Sequence, residues 1–315
     1  MEHRSYMEGR FDIRITSLAL FLLILSYPLS IAENPEEVEK REIEILDIAP
    51  HDPTSFTQGL EIWNGSLIES SGLYGHSRIS EIDLETGNVI RKMSINDSLF
   101  AEGITVRNDS IIMLTWKSEK ALEIDLRNFT IVGNHTYEGQ GWGICYNGQN
   151  LVMSNGSSSL TFRDPDSFEI SHVVPVTLAG IEVVGLNELE CVGETVYANV
   201  WMEDVILAIN SSSGHVEFSV SVEELSEDQG KNSNEVLNGI AYDQSEGGFW
   251  ITGKNWTEIY LVDFQASENN STGGTSPSEN LFFLTIPAIM VISLSYLLFK
   301  KKKDPETPNF KDYHQ

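Results

Sequence analysis

A single acidic side chain, Glu102, stands at the head of an apolar run in the stretch FAEGIT, residues 100–105. A carboxylate in such a place can accept and return a proton during a reaction. Lys254, in the stretch TGK, and Asn187, in the stretch LNELE, carry donors that could stabilise a developing negative charge. The three side chains are far apart in the sequence, so the function depends on the elements that bring them together.

Glu102 belongs to a short pattern that occurs five times along the chain, at separations of 44, 40, 45 and 51 residues. A turn rich in Asn and Gly and then an apolar strand follow each copy. Repeats of about 40 to 50 residues that consist of short strands and turns are typical of propeller blades. The five triplets are Gln58-Gly59-Leu60, Glu102-Gly103-Ile104, Trp142-Gly143-Ile144, Asn187-Glu188-Leu189 and Asn238-Gly239-Ile240.

The sequence therefore predicts an all-β, five-bladed β-propeller that forms a catalytic domain over residues 33–264. The alternating segment 41–48 is expected to add the outer strand of the last blade and to close the ring. A pair of β-sandwiches is the alternative fold, but it would not explain the regular triplets. Because the first strand of each propeller blade lines the central channel, the leading residues of the triplets should meet at one mouth. With the ends of the second strands, they define a predicted pocket of Gln58, Glu102, Trp116, Trp142, Asn187, Trp201, Asn238 and Lys254.

The two ends of the chain predict an exported, membrane-anchored protein. Residues 1–32 have the basic region, apolar core and small-residue end of a signal peptide, although an uncleaved anchor helix is the alternative. The polar segment 265–280 is predicted to be a flexible stalk. Residues 281–299 are uncharged and long enough for a transmembrane helix, and the lysines that follow predict a cytoplasmic tail at 300–315. The expected location is the cell membrane, with a single-pass anchor and an extracytoplasmic domain.

Composition restricts the partners. The formal charge of −27 disfavours nucleic acid, because an acidic surface repels phosphate backbones. Ten N-x-[ST] sequons are typical of a glycoprotein, and the one at Asn255 is expected to be unused because it adjoins Lys254. Cys145 and Cys191 could form a disulfide or remain buried thiols. The histidines are scattered, so neither a metal nor another cofactor is expected, and we expect a monomer.

Eight short runs occur in order along about residues 45–262: HDPTSFTQGL, ESSGLYG, FAEGIT, GWGI, LNELE, ANVW, LNGIAYD and TGKNW. Together they resemble the plant and bacterial type of glutaminyl-peptide cyclotransferase, a five-bladed propeller. The resemblance implies that the chain converts the N-terminal glutamine of peptides or proteins to pyroglutamate and releases ammonia, with Glu102 as the proton shuttle. It also implies that the family's pocket residues are Gln58, Trp116, Trp142, Asn187, Trp201 and Lys254. For this reaction, Lys254 or Asn187 could stabilise the oxyanion, and Gln58, the three tryptophans and Asn238 are expected to bind substrate.

Other interpretations of the same residues remain. A non-catalytic extracytoplasmic propeller that binds a peptide or a cell-surface component is the alternative function, whereas a metal-dependent propeller lactonase would need several channel carboxylates. Tryptophans in strands usually complete a core rather than touch a ligand. Glu69, Glu188 and Glu190 are expected to brace turns or contacts between blades.

Overall fold

The computed structural model describes residues 38–230 and 235–266, which form an almost entirely β-structure. The helix in these ranges is α1 (Glu223–Asp228). The strands are β1 (Glu39–Pro50), β2 (Thr57–Trp63), β3 (Ser66–Ser71), β4 (Arg78–Ile82), β5 (Val89–Ser94), β6 (Ala101–Arg107), β7 (Ser110–Thr115), β8 (Lys120–Asp125), β9 (Thr130–Thr136), β10 (Ile144–Tyr146), β11 (Leu151–Met153), β12 (Ser159–Arg163), β13 (Ile170–Pro175), β14 (Thr177–Leu178), β15 (Ile181–Glu182), β16 (Leu186–Val192), β17 (Thr195–Val200), β18 (Val205–Asn210), β19 (Val216–Ser221), β20 (Leu237–Asp243), β21 (Gly248–Gly253) and β22 (Glu258–Ala266).

Local sequence explains where the strands turn. In the connection between β2 and β3, Trp63 pairs with Ser66, and Asn64 and Gly65 both have positive φ angles, of 50° and 78°. Asn-Gly is the dipeptide that best tolerates this geometry, which matches the twist of a two-residue hairpin. The apolar run Ser110–Thr115 then gives β7 five consecutive buried residues, as expected for a strand that is covered on both faces.

Three of the sheets are four-stranded and follow the order of the sequence: β2 to β5, β6 to β9 and β10 to β13. A small hairpin pairs β14 with β15. The remaining strands form one eight-stranded sheet in the order β16-β17-β18-β19-β1-β22-β21-β20. Each of the five triplets identified in the sequence therefore begins or immediately precedes the first strand of a four-stranded group.

The first strands of these groups contact one another in a closed series, from β2 to β6, β10, β16 and β20, and back to β2. Glycine in the triplets permits this close approach. A Cβ atom added to Gly59 would lie 2.5 Å from the backbone nitrogen of Ile104, and one added to Gly103 would lie 2.7 Å from the Cα of Gly143. A Cβ at Gly143 would meet the carbonyl oxygen of Asn187 at a still shorter distance. The triplets therefore meet around one centre.

The fourth triplet has glutamate where the others have glycine. The carboxylate of Glu188 is fully buried and accepts hydrogen bonds from the backbone N–H groups of Leu60, at 3.3 Å, and Ile240, at 2.9 Å. Burial raises the pKa of Glu188 well above its usual range, despite these two bonds. Its side chain ties β16 to β2 and β20, which supports the prediction that it braces contacts between neighbouring groups.

The sequence prediction of five separate blades was wrong at the fourth and fifth groups. The strand β1 pairs with β22 along most of its length, but its first residues, Glu39 to Arg41, also pair in parallel with β19. This pairing is possible because β1 has 12 residues and extends beyond the predicted segment 41–48. The two groups are therefore joined into one eight-stranded, barrel-like sheet.

The predicted transmembrane helix and the single-pass membrane location are corrected as well. Within residues 38–230 and 235–266, no helix has the length and apolar character needed to cross a membrane, and α1 has only six residues. The segment 281–299 lies outside the described residues. So do the predicted signal peptide, the cytoplasmic tail and the stalk after Ala266. What the structure supports is an all-β fold without a long helix in its described part.

The sequence left open whether the two cysteines form a disulfide or remain thiols, and the structure shows the disulfide. Cys145 in β10 and Cys191 in β16 form a disulfide, with their Cα atoms 5.4 Å apart. The bond joins the first strand of the third sheet to the first strand of the next group. It therefore reinforces the central series of strands near the triplets.

Candidate active site

Four of the five leading triplet residues lie in β-bulges. The pairing register shifts between Thr57 and Gly59 in β2, and equivalent shifts bracket Glu102 in β6, Asn187 in β16 and Asn238 in β20. A bulge bends the strand and changes the direction of a side chain at that point. The repeated bulge therefore gives these four polar side chains equivalent positions at the heads of their strands.

Glu102 is the buried carboxylate of this site. It is only 6% exposed, and its backbone carbonyl accepts a hydrogen bond from the Ser70 hydroxyl at 2.7 Å. Burial raises the pKa of Glu102 well above its usual range, while the charge of Lys254 opposes the rise. A carboxyl group whose pKa is raised in this way is suited to accept and return a proton during a reaction.

Lys254 follows the last residue of β21 and is also 6% exposed. Its backbone N–H donates to the carbonyl of Val236 at 2.9 Å, and its ammonium lies 4.8 Å from the centre of the Phe56 ring. Burial lowers the pKa of Lys254 to about 8, although the nearby Glu102 charge acts in the opposite direction. Burial therefore favours the neutral form of both groups, and each charge partly stabilises the other.

The amide side chains divide into satisfied and unsatisfied groups. Asn187 donates to the Oδ1 of Asn238 at 2.6 Å, and Asn238 in turn donates to the carbonyl of Thr57 at 3.0 Å. Gln58 is only 2% exposed, and its Oε1 has no hydrogen-bond partner among the residues that the structure describes. An unpaired buried acceptor is costly, so Gln58 presents an oxygen that a bound donor would satisfy.

The three predicted indoles belong to one connected wall. Trp116 and Trp142 both donate their indole N–H to the Oε1 of Gln140, at 2.8 and 3.1 Å. Trp142 packs edge-to-face against Trp201 with ring centres 5.9 Å apart. The ring of Phe100 lies 5.5 Å from that of Trp116. These contacts connect aromatic residues of three successive groups.

The aromatic wall continues to the charged pair. Phe56, which lies beneath the Lys254 ammonium, packs edge-to-face against Phe100 at 6.3 Å. Gln58 adjoins the same ring, since a Cβ added to Gly72 would lie 3.0 Å from the Nε2 of Gln58 and 2.8 Å from the Cζ of Phe100. Shared aromatic neighbours therefore connect Gln58 and Lys254 to the three indoles, and Glu102 is coupled to Lys254 by charge. Asn187 and Asn238 form a separate hydrogen-bonded pair.

Sequence reasoning missed several neighbours of the site. Phe56, Phe100, Tyr74 and Gln140 were not among the predicted residues. Phe56 and Phe100 stand two residues before Gln58 and Glu102, a shared spacing that could have identified them. The pKa of Tyr74 is raised by partial burial and by the charge of Glu102, which places its phenol near that carboxylate. Gln140 offered only its position between two glycines as a signal.

His51 belongs to a buried network. Its Nδ1 lies 2.8 Å from the carbonyl of Trp256, and its Nε2 lies 3.0 Å from Glu69. Glu69 also accepts hydrogen bonds from Ser55 at 2.8 Å and Thr57 at 2.6 Å. This network connects the segment after Lys254 to the start of β2, so Glu69 has the bracing role that the sequence predicted.

The glycan and metal expectations concern the surroundings of the site. The Nδ2 of Asn255, where a glycan would attach, donates to the carbonyl of Pro53 at 2.9 Å. Whether this sequon or the others are used stays a prediction. Within residues 38–230 and 235–266, no group of three or more His, Cys, Asp or Glu side chains is arranged to hold a metal ion.

Comparisons with known proteins show the family to which the chain belongs. The family model described as glutamine cyclotransferase matches residues 18–264. The glutaminyl-peptide cyclotransferase of Arabidopsis thaliana is 34% identical over 235 residues, which cover 73% of this chain and 73% of that protein. A crystal structure of Myxococcus xanthus glutaminyl cyclase matches with a TM-score of 0.69 and 30% identity, covering 74% of this chain and 100% of that chain. This chain belongs to the glutamine cyclotransferase family.

Proposed function

We propose a route by which this chain, a glutaminyl-peptide cyclotransferase, closes the side chain of an N-terminal glutamine into pyroglutamate, with Glu102 as the proton shuttle. The observation that carries the proposal is the pair of buried, oppositely charged groups, Glu102 and Lys254, whose pKa values burial moves towards each other. Such a pair is suited to acid-base chemistry near neutral pH.

The reaction requires that the glutamine side chain folds back towards its own α-amine and that protons move between the two nitrogen atoms. The α-amine attacks the carboxamide carbon, a C–N bond forms to close the five-membered lactam, and the bond to the amide nitrogen breaks. An α-amine has a pKa of about 7.7 to 8.0 and is largely protonated at neutral pH, so a base must free its lone pair. In this route ionised Glu102 accepts a proton from the α-ammonium group and returns it to the departing nitrogen, which leaves as ammonia. The ring nitrogen loses a second proton as it becomes the lactam amide, and Glu102, ionised again, accepts that proton and releases it to ammonia or solvent.

The tetrahedral intermediate carries negative charge on the former carbonyl oxygen. Lys254 is cationic below about pH 8 and can stabilise this oxygen as well as the Glu102 carboxylate. Asn187 uses one N–H to bind Asn238, which fixes the orientation of its amide, and the second N–H is a further donor for the oxyanion. We assign Asn238 to holding Asn187 rather than to direct substrate contact, because Asn238 also binds Thr57.

Substrate binding follows from the remaining groups. The unpaired Oε1 of Gln58 would accept an N–H from the substrate amine or from its carboxamide. The wall formed by Trp116, Trp142 and Trp201 would pack against the two methylene groups of the glutamine. Holding the amine and the carboxamide of one residue together also reduces the entropy cost of ring closure.

Ammonia release from peptides tests the proposal. The purified full chain is incubated with a dipeptide that begins with glutamine, and we expect ammonia and a product lighter by one ammonia. An Asn-initiated dipeptide is the matched control, because its shorter side chain would require a strained four-membered ring. An N-acetylated Gln-dipeptide, which lacks the attacking amine, should also be inert. Tight binding of the Gln-dipeptide without ammonia would instead favour the non-catalytic peptide-binding alternative.

A further inference from the structure

Gln140 lies in the connection between β9 and β10, and its backbone is fixed on both sides. Glu119 accepts hydrogen bonds from Tyr137 N–H, at 3.1 Å to its carbonyl, and from Gly139 N–H, at 2.9 Å to its carboxylate. On the other side, Gly141 N–H donates to the carbonyl of Trp116 at 3.1 Å. These bonds hold the segment against the turn between β7 and β8, so the position of Gln140 is set by the fold.

The side chain of Gln140 joins two sheets through one oxygen. Trp116 follows β7 of the second sheet and Trp142 precedes β10 of the third, and both indole N–H groups point to the same Oε1. Trp142 is confined further by Gly156, where an added Cβ would lie only 2.6 to 2.8 Å from the indole ring. Both indole donors are used by the protein, so the aromatic rings rather than the N–H groups are available to form the wall.

We propose that Gln140 is a positioning residue that orients Trp116 and Trp142 and thereby sets the affinity for an N-terminal glutamine; this inference rests on the proposed function. Without the Oε1 acceptor, the two indole N–H groups would lose this hydrogen bond and the rings could adopt other orientations. Ordering them again when substrate binds costs free energy. Gln140 therefore acts on substrate binding, whereas proton transfer depends on Glu102 and Lys254.

The test compares Gln140→Leu, which removes the acceptor, with Gln140→Glu, which keeps an oxygen at this position. We expect Gln140→Leu to raise KM for a Gln-dipeptide by about tenfold, as ordering one or two large side chains costs about this much in binding, with a much smaller change in kcat. The pH values at which kcat rises and falls should be the same as in wild type. Gln140→Glu should restore most of the affinity, and Gln265→Leu, at an exposed site, is the matched control.

A spectroscopic measurement separates this role from a merely structural one. In ultraviolet resonance Raman spectra, the band that reports indole N–H hydrogen bonding should shift for part of the tryptophan signal in Gln140→Leu and recover in Gln140→Glu. An unchanged KM, or a loss of kcat that only follows the loss of folded protein, would overturn the proposal. If the wild-type protein releases no ammonia, the proposed function fails. In that case the affinity for the Gln-dipeptide, measured by calorimetry, tests the role of Gln140 separately. Equal affinity in wild type and Gln140→Leu would refute that role.

Discussion

The protonation state of Lys254 predicts how kcat/KM declines at high pH. Burial lowers the pKa of this lysine to about 8, so the site loses its cation as the pH rises through that value. If the cation stabilises the oxyanion, kcat/KM should fall by about tenfold for each pH unit well above the pKa, as for any single required protonation. Lys254→Arg keeps the positive charge throughout this range, because an arginine pKa exceeds 12.

The assay measures initial rates of ammonia release at a substrate concentration far below KM, from about pH 6 to about pH 10 at constant ionic strength. Wild type should show a decline above about pH 8. In Lys254→Arg that decline should be absent, even though the altered geometry lowers the rate at every pH. The substrate amine titrates in the same range, but it does so for both proteins, so their difference isolates the residue at position 254. The same basic limb in both proteins would refute the role assigned to the Lys254 charge.

Two further predictions concern stability. Replacing both Cys145 and Cys191 by alanine should lower the free energy of unfolding by about 4 kcal/mol, because the lost cross-link spans a sequence separation of 46 residues. Urea denaturation under non-reducing conditions measures this change. An unchanged denaturation midpoint would count against the disulfide. Burial, with the charges of Glu61 and Glu188, raises the pKa of Glu190 well above its usual range. The contribution of Glu190 to the free energy of unfolding is therefore complete below its ordinary pKa of 4.5. That contribution is lost as the pH rises towards the folded-state pKa. Glu190→Gln, which stays neutral, should therefore be more stable than wild type at pH 8 but not at pH 4, and a gain of equal size at both pH values would contradict the assignment.

The close approach of the first strands could be predicted from the sequence because the triplets repeat a small residue at one position. Gly59, Gly103 and Gly143 allow neighbouring strands to approach closely. The repetition also predicts that Glu102 lies near the other leading residues. Gln140 and Tyr74 lie neither in the triplets nor at the ends of the second strands, so the pattern did not identify them.

Other features depended on long-range pairing that a local pattern does not contain. The alternation in residues 41–48 predicted a strand but not its additional parallel pairing with β19, which joins two groups into one sheet. The polar character of Asn238 suggested a substrate contact, whereas the structure uses both of its polar atoms internally, on Asn187 and Thr57. His51 likewise acquires its role only from Trp256 and Glu69, which are distant from it in sequence.

The variant Glu102→Gln is the sharpest test of Glu102 as the residue that carries the proton. The substitution keeps the size of the side chain but removes its ability to exchange a proton. The indole wall and Gln58 are unchanged, so the Gln-dipeptide should still bind with similar affinity. We expect turnover, measured as ammonia release by folded protein, to fall by at least about 10²-fold, the usual contribution of a general acid-base group. Turnover equal to that of wild type in a folded Glu102→Gln protein would refute this role and assign the base to another residue.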